Sequence, residues 1–122
     1  MSDPAAFRPR DVHAVYGERP KCWITLHWQF VDAHHILGRG YVNGYRPNDV
    51  QRKMFSSVFN FCPLQRDIHK GPQKDSPEMR HLFLRLAREH VMQAVSEGRY
   101  ELRPEDEAFL AFADNWISNN PV

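Results

Sequence analysis

Three histidines and one asparagine are the residues of this sequence whose types and spacing point to chemistry. His34 and His35 are adjacent, Asn60 follows after a long gap, and His69 lies nine residues beyond Asn60. A neutral imidazole can bind a divalent cation or take a proton from water. A bound cation can neutralise a phosphate and assist a leaving oxygen. Together these residues predict a small metal-dependent phosphodiesterase site.

Two predicted strands must carry the first part of this set. Residues 22–30 are rich in aromatic and β-branched side chains, and residues 31–37 continue that character, so each range predicts a short strand. Adjacent residues of a strand point to opposite sides. We therefore expect His34 and His35 to need a strand end or a local twist before both can approach one phosphate.

A loop, a strand and a short helix are predicted to carry the rest of the set. Residues 38–53 contain three glycines, a proline and two asparagines, which predict a long loop. Residues 55–62 regain β character and bring Asn60 alongside the preceding strand. Pro63 can open a short helix, and we expect His69 on that helix to face the strands.

The whole chain is predicted to be an α+β protein with one domain. Residues 1–20 are rich in proline and charge and lack periodicity, which predicts a flexible N-terminal arm. Residues 21–122 are predicted to form the domain, with a small core and its long loop at about 31–72. Two helices, at about 77–97 and 104–118, have start signals and apolar periodicity and are expected to brace that core.

Charge is unevenly distributed along the chain. Residues 31–74 contain seven basic and three acidic side chains, whereas residues 75–122 contain five basic and nine acidic ones. The basic segment favours an anionic partner such as DNA, with a solvated basic surface as the alternative. The acidic second helix is expected to face away from DNA, or to bind a protein partner or a second copy. Six basic side chains are predicted to contact phosphates: Arg39, Arg46, Arg52, Lys53, Arg66 and Lys70.

The composition also predicts a compartment. The sequence has no apolar run of about 18 residues, so no membrane span or membrane partner is expected. The first residues lack the apolar stretch of a secretory signal. The two cysteines, Cys22 and Cys62, do not form a disulfide framework. A cytoplasmic, reducing environment is therefore predicted.

Two segments resemble the HNH endonuclease family, whose core is a ββα-metal unit. They are AHHILGRG at 33–40 and NFCPLQRDIH at 60–69, the second with the family's spacing of Asn, three residues, Leu, four residues and His. The resemblance implies that His34 and His69 are metal ligands and that His35 is the general base. It implies that Asn60 holds the strand of the base and orients His35 by hydrogen bonding.

The sequence departs from the family pattern in its zinc and ligand positions. Gln65 and Ile68 stand where many members carry cysteines of a structural zinc, and Gln73 stands where some carry a third ligand. The resemblance therefore implies a two-ligand site for Mg²⁺ or Mn²⁺, with Zn²⁺ or Ni²⁺ as alternatives. It also suggests a phage or mobile-element setting. Double-strand cleavage would require a homodimer or repeated action.

Other interpretations stay open at this point. The histidine pair suits a half-buried strand, Asn60 suits a turn, and His69 suits a helix C-terminus. A non-catalytic nucleic-acid or protein-binding module that keeps the same frame is the main alternative. A structural zinc protein is a third, and Cys22, His27 and Cys62 are its further candidate ligands, although their spacing is not that of a zinc finger.

Overall fold

The computed structural model describes residues 6–38 and 53–122. Within them the chain forms four α-helices and a two-stranded antiparallel sheet, so the predicted α+β class is confirmed. No helix in these ranges is long and apolar enough to cross a lipid bilayer. The elements are α1 Pro9–Tyr16, β1 Val31–His35, β2 Phe61–Gln65, α2 Arg66–Lys70, α3 Pro77–Ser96 and α4 Pro104–Asn119, with 3₁₀ turns at Met54–Ser56, Val58–Asn60 and Pro72–Asp75.

The hairpin and the helix that follows it form one continuous unit. In β1 and β2, His34 lies opposite Cys62 and His35 lies opposite Phe61. The last residue of β2 is followed directly by the first residue of α2, so the helix cannot move far from the sheet. The hairpin is the part of the fold that positions the histidines.

Strand β2 begins later than the sequence predicted. Asn60 ends a 3₁₀ turn just before the strand, and Pro63 lies inside β2 instead of opening a helix. In an antiparallel sheet, residues that face each other across two strands alternate between hydrogen-bonded and non-hydrogen-bonded pairs. The amide of Ile36 donates to the carbonyl of Asn60, so Ala33 and Pro63 form a non-hydrogen-bonded pair. The backbone nitrogen of Pro63 therefore points away from β1, and the absence of an N–H group removes no hydrogen bond from the hairpin.

Residues 22–30 were predicted to form a strand, but they fold as an irregular turn. The amide of Cys22 donates to the carbonyl of His27 at 2.8 Å, and the amide of Leu26 donates to the carbonyl of Cys22 at 2.9 Å. These short-range bonds close the chain on itself and leave no regular ladder. Strand propensity is strongly context-dependent, and here the local turn overrides it.

Part of the predicted flexible arm is helix α1. Val12 and Val15 of this helix are buried in the core. Arg103 donates two hydrogen bonds to the carboxylate of Asp11, which lies 92 positions earlier in the sequence. A helix of eight residues is not stable in isolation, so these tertiary contacts explain a helix that local periodicity did not predict.

The two C-terminal helices form as the sequence predicted. The side chain of Ser76 caps α3 by accepting from the amide of Met79, while Pro104 opens α4. Their buried faces meet the hairpin and the 3₁₀ turns through Phe83, Leu84, Ala87, Val91, Ala94, Phe109, Ala113 and Trp116.

A buried carboxylate connects α4 to the turn before β2. Asp106 is fully buried and accepts hydrogen bonds from the hydroxyls of Ser57 and Tyr100, both at 2.6 Å. It also accepts from the backbone amide of Arg103 at 2.9 Å. A buried carboxylate is tolerated when its oxygens are hydrogen-bonded in this way. The frame on which β2 rests is therefore tied to α4 by polar as well as apolar contacts.

Candidate functional site

His34 and His69 come together on the inner face of the hairpin. Their ring centroids are 5.1 Å apart, with the ring planes at 64°. His34 is 6% exposed and also contacts the ring of Phe83 in α3, whereas His69 is partly exposed on α2. The two residues predicted as metal ligands are therefore neighbours, although they lie 35 positions apart in sequence.

The ring of His34 is suited to bind a cation. Its Nε2 atom is buried and has no hydrogen-bond partner within the described residues. Burial, reinforced by the nearby His69, lowers the pKa of His34 to about 4. The ring is consequently neutral at physiological pH, and the tautomer with its proton on Nδ1 leaves a lone pair on Nε2. Buried polar atoms without partners are uncommon in proteins, and the ability to bind an ion is one explanation for them.

Asp32 supports the second histidine and was not predicted as a site residue. Its Oδ2 atom lies 3.3 Å from Nδ1 of His69, and its Oδ1 atom lies 3.6 Å from Nη2 of Arg66. A carboxylate on one ring nitrogen fixes the imidazole and directs the other nitrogen to a ligand, as is common around metal ions. Asp32 could have been predicted as a site residue, because positions 32 and 34 lie on the same face of a strand.

Asn60 holds the chain that follows β1. It is fully buried, and its Oδ1 atom accepts from the amide of Leu37 at 2.8 Å. Its Nδ2 atom donates to the carbonyls of Leu37 at 3.1 Å and Phe55 at 3.0 Å, which uses both amide hydrogens. The implied role of holding the base strand fits this geometry. The side-chain amide bonds to Leu37 and Phe55 instead of to His35, so Asn60 can orient His35 only by fixing the backbone two positions later.

Replacing Asn60 with alanine is expected to lower the free energy of unfolding by about 3 kcal/mol or more, because three buried backbone groups would lose partners at about 1–3 kcal/mol each. Urea denaturation at neutral pH measures the change. Asn115→Ala, at an exposed position of α4, is the matched control and should change stability by less than about 0.5 kcal/mol. Equal effects of the two substitutions would show that Asn60 does not clamp the hairpin.

His35 lies on the other face of the hairpin. Its ring stacks on Phe7, with centroids 4.2 Å apart and planes at 19°. His35 is the last residue of β1. A strand end at this place is one of the two arrangements that we expected would let both histidines approach one phosphate. The structure nevertheless does not bring the ring of His35 beside the pair formed by His34 and His69.

Three of the six predicted phosphate-contacting side chains lie within the described residues. Lys53 and Lys70 are exposed, and Lys70 ends α2 one residue after His69. Arg66 begins α2, with its side chain 56% exposed and directed toward Asp32. The other three, Arg39, Arg46 and Arg52, lie outside the described residues.

The two cysteines are both buried. The pKa of Cys62 is raised by burial, as expected for an inert core thiol. For Cys22, burial is outweighed by hydrogen bonds to its sulfur, chiefly from Thr25, which lower the pKa. His27 is exposed. Across residues 6–38 and 53–122, no group of three His, Cys, Asp or Glu side chains is arranged to hold a metal ion.

The site is therefore a hairpin followed by a helix, with two imidazoles and one carboxylate on its inner face. Comparisons of the chain with protein-family models, curated proteins and solved structures find no match. The chemistry of the site must be inferred from its own geometry.

Proposed function

We propose that this chain is a metal-dependent DNA endonuclease of the HNH type, built on a ββα-metal unit. One observation carries the proposal. An antiparallel hairpin and the helix directly after it bring His34 and His69 together, and the Nε2 atom of His34 is buried without a hydrogen-bond partner among the residues that the structure describes. This is a donor arrangement that a divalent cation would complete.

His34 and His69 are the residues that would hold the cation, and Asp32 would keep the ring of His69 oriented. When bound, the cation would neutralise charge on the phosphate and help the leaving oxygen. Water and phosphate oxygens would supply the remaining ligands. Such a site suits Mg²⁺ or Mn²⁺, and the two imidazoles also suit Zn²⁺ or Ni²⁺.

His35 remains the proposed general base, at the end of β1. Its Nδ1 or Nε2 atom would take the proton of the attacking water, which an imidazole can do near neutral pH. The Asn60 clamp on Leu37 fixes the backbone just after His35, and so limits how far this strand end can move. Because the ring now stacks on Phe7, approach to a phosphate would require that stack to open.

The basic side chains around α2 support DNA as the substrate. Arg66 and Lys70 begin and end the helix that carries His69, and Lys53 is also exposed. Lysine and arginine at such positions contact phosphates and position a duplex without reading its sequence. The net positive charge of residues 31–74 has the sign that this substrate requires.

A plasmid assay tests the proposal. Supercoiled plasmid is incubated with the protein in Mg²⁺ or Mn²⁺, with and without excess chelator, and open-circular product is quantified. We expect nicking that depends on the cation and stops when the chelator is added. His13→Ala, an exposed histidine of α1, should behave as wild type. Nicking that persists in chelator, or no nicking with Mg²⁺, Mn²⁺, Zn²⁺ or Ni²⁺, would contradict the proposal.

A second function is favoured by the position of His35. The proposed base, His35, lies on the face of the hairpin opposite to His34 and His69. In the described ranges, no third potential ligand is grouped with those two imidazoles. Both features also suit a non-catalytic DNA-binding module with the same ββα frame. That function predicts salt-sensitive DNA binding without turnover. Binding of a protein partner or a second copy to the acidic helix α4 stays a prediction. A cytoplasmic location also stays a prediction.

A further inference from the structure

Residues 24–30 present four large apolar side chains to solvent. We call this segment the apolar turn. The exposed fractions are 42% for Ile24, 68% for Leu26, 49% for Trp28 and 74% for Phe30. Single exposed apolar residues are ordinary on protein surfaces, but four of them within seven residues form a patch that calls for an explanation.

The apolar turn is held in a strained backbone conformation. Leu26 has φ 65° and Phe30 has φ 54°, in the left-handed region that bulky side chains rarely adopt. Such conformations persist only when surrounding contacts enforce them, and they concentrate at binding and catalytic sites. Here the enforcing contacts are visible, because the amide of Trp23 donates to the carbonyl of Pro63 at 3.1 Å and Cys22 bonds to both Leu26 and His27.

The apolar turn is fastened to the unit that carries the candidate metal ligands. The carbonyl of Phe30 accepts from the amide of Arg66, the first residue of α2, at 2.9 Å. The side-chain amide of Gln65 donates to the carbonyl of Gln29 at 3.1 Å. The next residue, Val31, begins β1. The backbone of the apolar turn is therefore held close to the unit that carries His34 and His69.

Two cations beside the aromatic residues of the apolar turn favour a nucleic acid over other occupants. The Nζ atom of Lys21 lies 4.8 Å from the centre of the Trp28 ring, so positive charge accompanies the aromatic surface. Arg66 is bonded through its backbone amide to Phe30, and its side chain is 56% exposed although it also contacts Asp32. Aromatic faces beside phosphate-binding cations are the combination that captures unstacked bases.

We propose that the apolar turn is a stacking wedge for DNA with unstacked bases, such as a bulge or a single-stranded gap. Trp28 and Phe30 would stack on the displaced bases, while Lys21 and Arg66 would bind the flanking phosphates. Inserted apolar side chains commonly unstack and bend a duplex in this way. The inference deepens the proposed function, on which the choice of DNA rests, by naming the class of substrate structure that is recognised.

Fluorescence anisotropy in chelator tests the wedge without turnover. The probes are two labelled DNAs of equal length, an intact duplex and a duplex with a two-base bulge. We expect wild type to bind the bulged duplex about tenfold more tightly, which is about 1.4 kcal/mol and lies within the usual contribution of stacking one base. The double variant Trp28→Leu and Phe30→Leu keeps apolar side chains but loses both aromatic faces, and it should lose that preference.

The matched control is Met92→Ala, which changes an exposed apolar side chain on α3 and should keep the tenfold preference. Thermal melts confirm that each variant is folded. A double variant that keeps the preference, or a wild type that has none, overturns the inference. Binding to anionic phospholipid vesicles in place of DNA also overturns it, in favour of a lipid-facing turn. If wild type prefers the bulged duplex and the double variant does not, the wedge is supported even when the plasmid assay shows no nicking. The failure of one proposal can therefore be distinguished from the failure of the other.

Discussion

Replacing His69 with alanine is expected to reduce both cation binding and plasmid nicking by more than about a hundredfold. The reason is that the pair would be left with one imidazole, and Asp32 would lose the ring that it orients. Loss of an outer-sphere partner alone commonly costs 10–100-fold in metal affinity, so loss of a direct ligand should cost more than that. Calorimetric titration with Mn²⁺ measures the affinity, and the plasmid assay measures turnover.

Two further variants sharpen this prediction. Asp32→Asn keeps the shape of the side chain but removes its charge, and we expect a smaller loss, within about 10–100-fold. His13→Ala removes an exposed histidine on α1 and should leave the titration unchanged. If His69→Ala binds Mn²⁺ as tightly as wild type, the assignment of His34 and His69 as ligands is wrong.

Replacing His35 with alanine is expected to lower the nicking rate by about 10²–10⁴-fold, the usual contribution of a general base, while cation affinity stays close to that of wild type. The two effects should separate because His35 lies on the opposite face of the hairpin from the candidate ligands, against Phe7. Single-turnover nicking and the Mn²⁺ titration on the same preparation give both quantities.

The stack on Phe7 supplies a control for this experiment. Phe7→Leu removes the ring that covers His35 and should retain nicking, because it leaves the imidazole in place. Equal nicking by wild type and His35→Ala would mean that His35 is not the base. A loss of Mn²⁺ affinity in His35→Ala, with normal affinity in His69→Ala, would exchange the assigned roles.

The order of elements was largely predictable from sequence. Helices α3 and α4 are long enough for apolar periodicity to show, and prolines mark the start of both. Strand β1 and a short helix carrying His69 were also predicted. Helix α1 was missed because its stability comes from distant partners such as Arg103, which no local pattern reports.

The candidate site was predictable only in part. The alternation of side chains along a strand correctly separated His34 from His35, and the hairpin-helix order brought His34 to His69. Asp32 was missed, although it shares a strand face with His34. The strained turn at residues 24–30 was missed because its β-rich composition favours a strand, whereas hydrogen bonds within the turn and to β2 determine its shape.

The contacts of α1 also constrain the order in which the molecule can assemble. Arg103 bonds to Asp11, and the side chain of Arg99 donates to the carbonyls of Ala14 and Val15. During synthesis α1 emerges before its partners at residues 99–103, which lie 84 to 92 positions later in the chain. Contacts that join distant parts of a chain slow folding. The contacts that hold α1 in place can therefore form only after residues 99–103 have been synthesised.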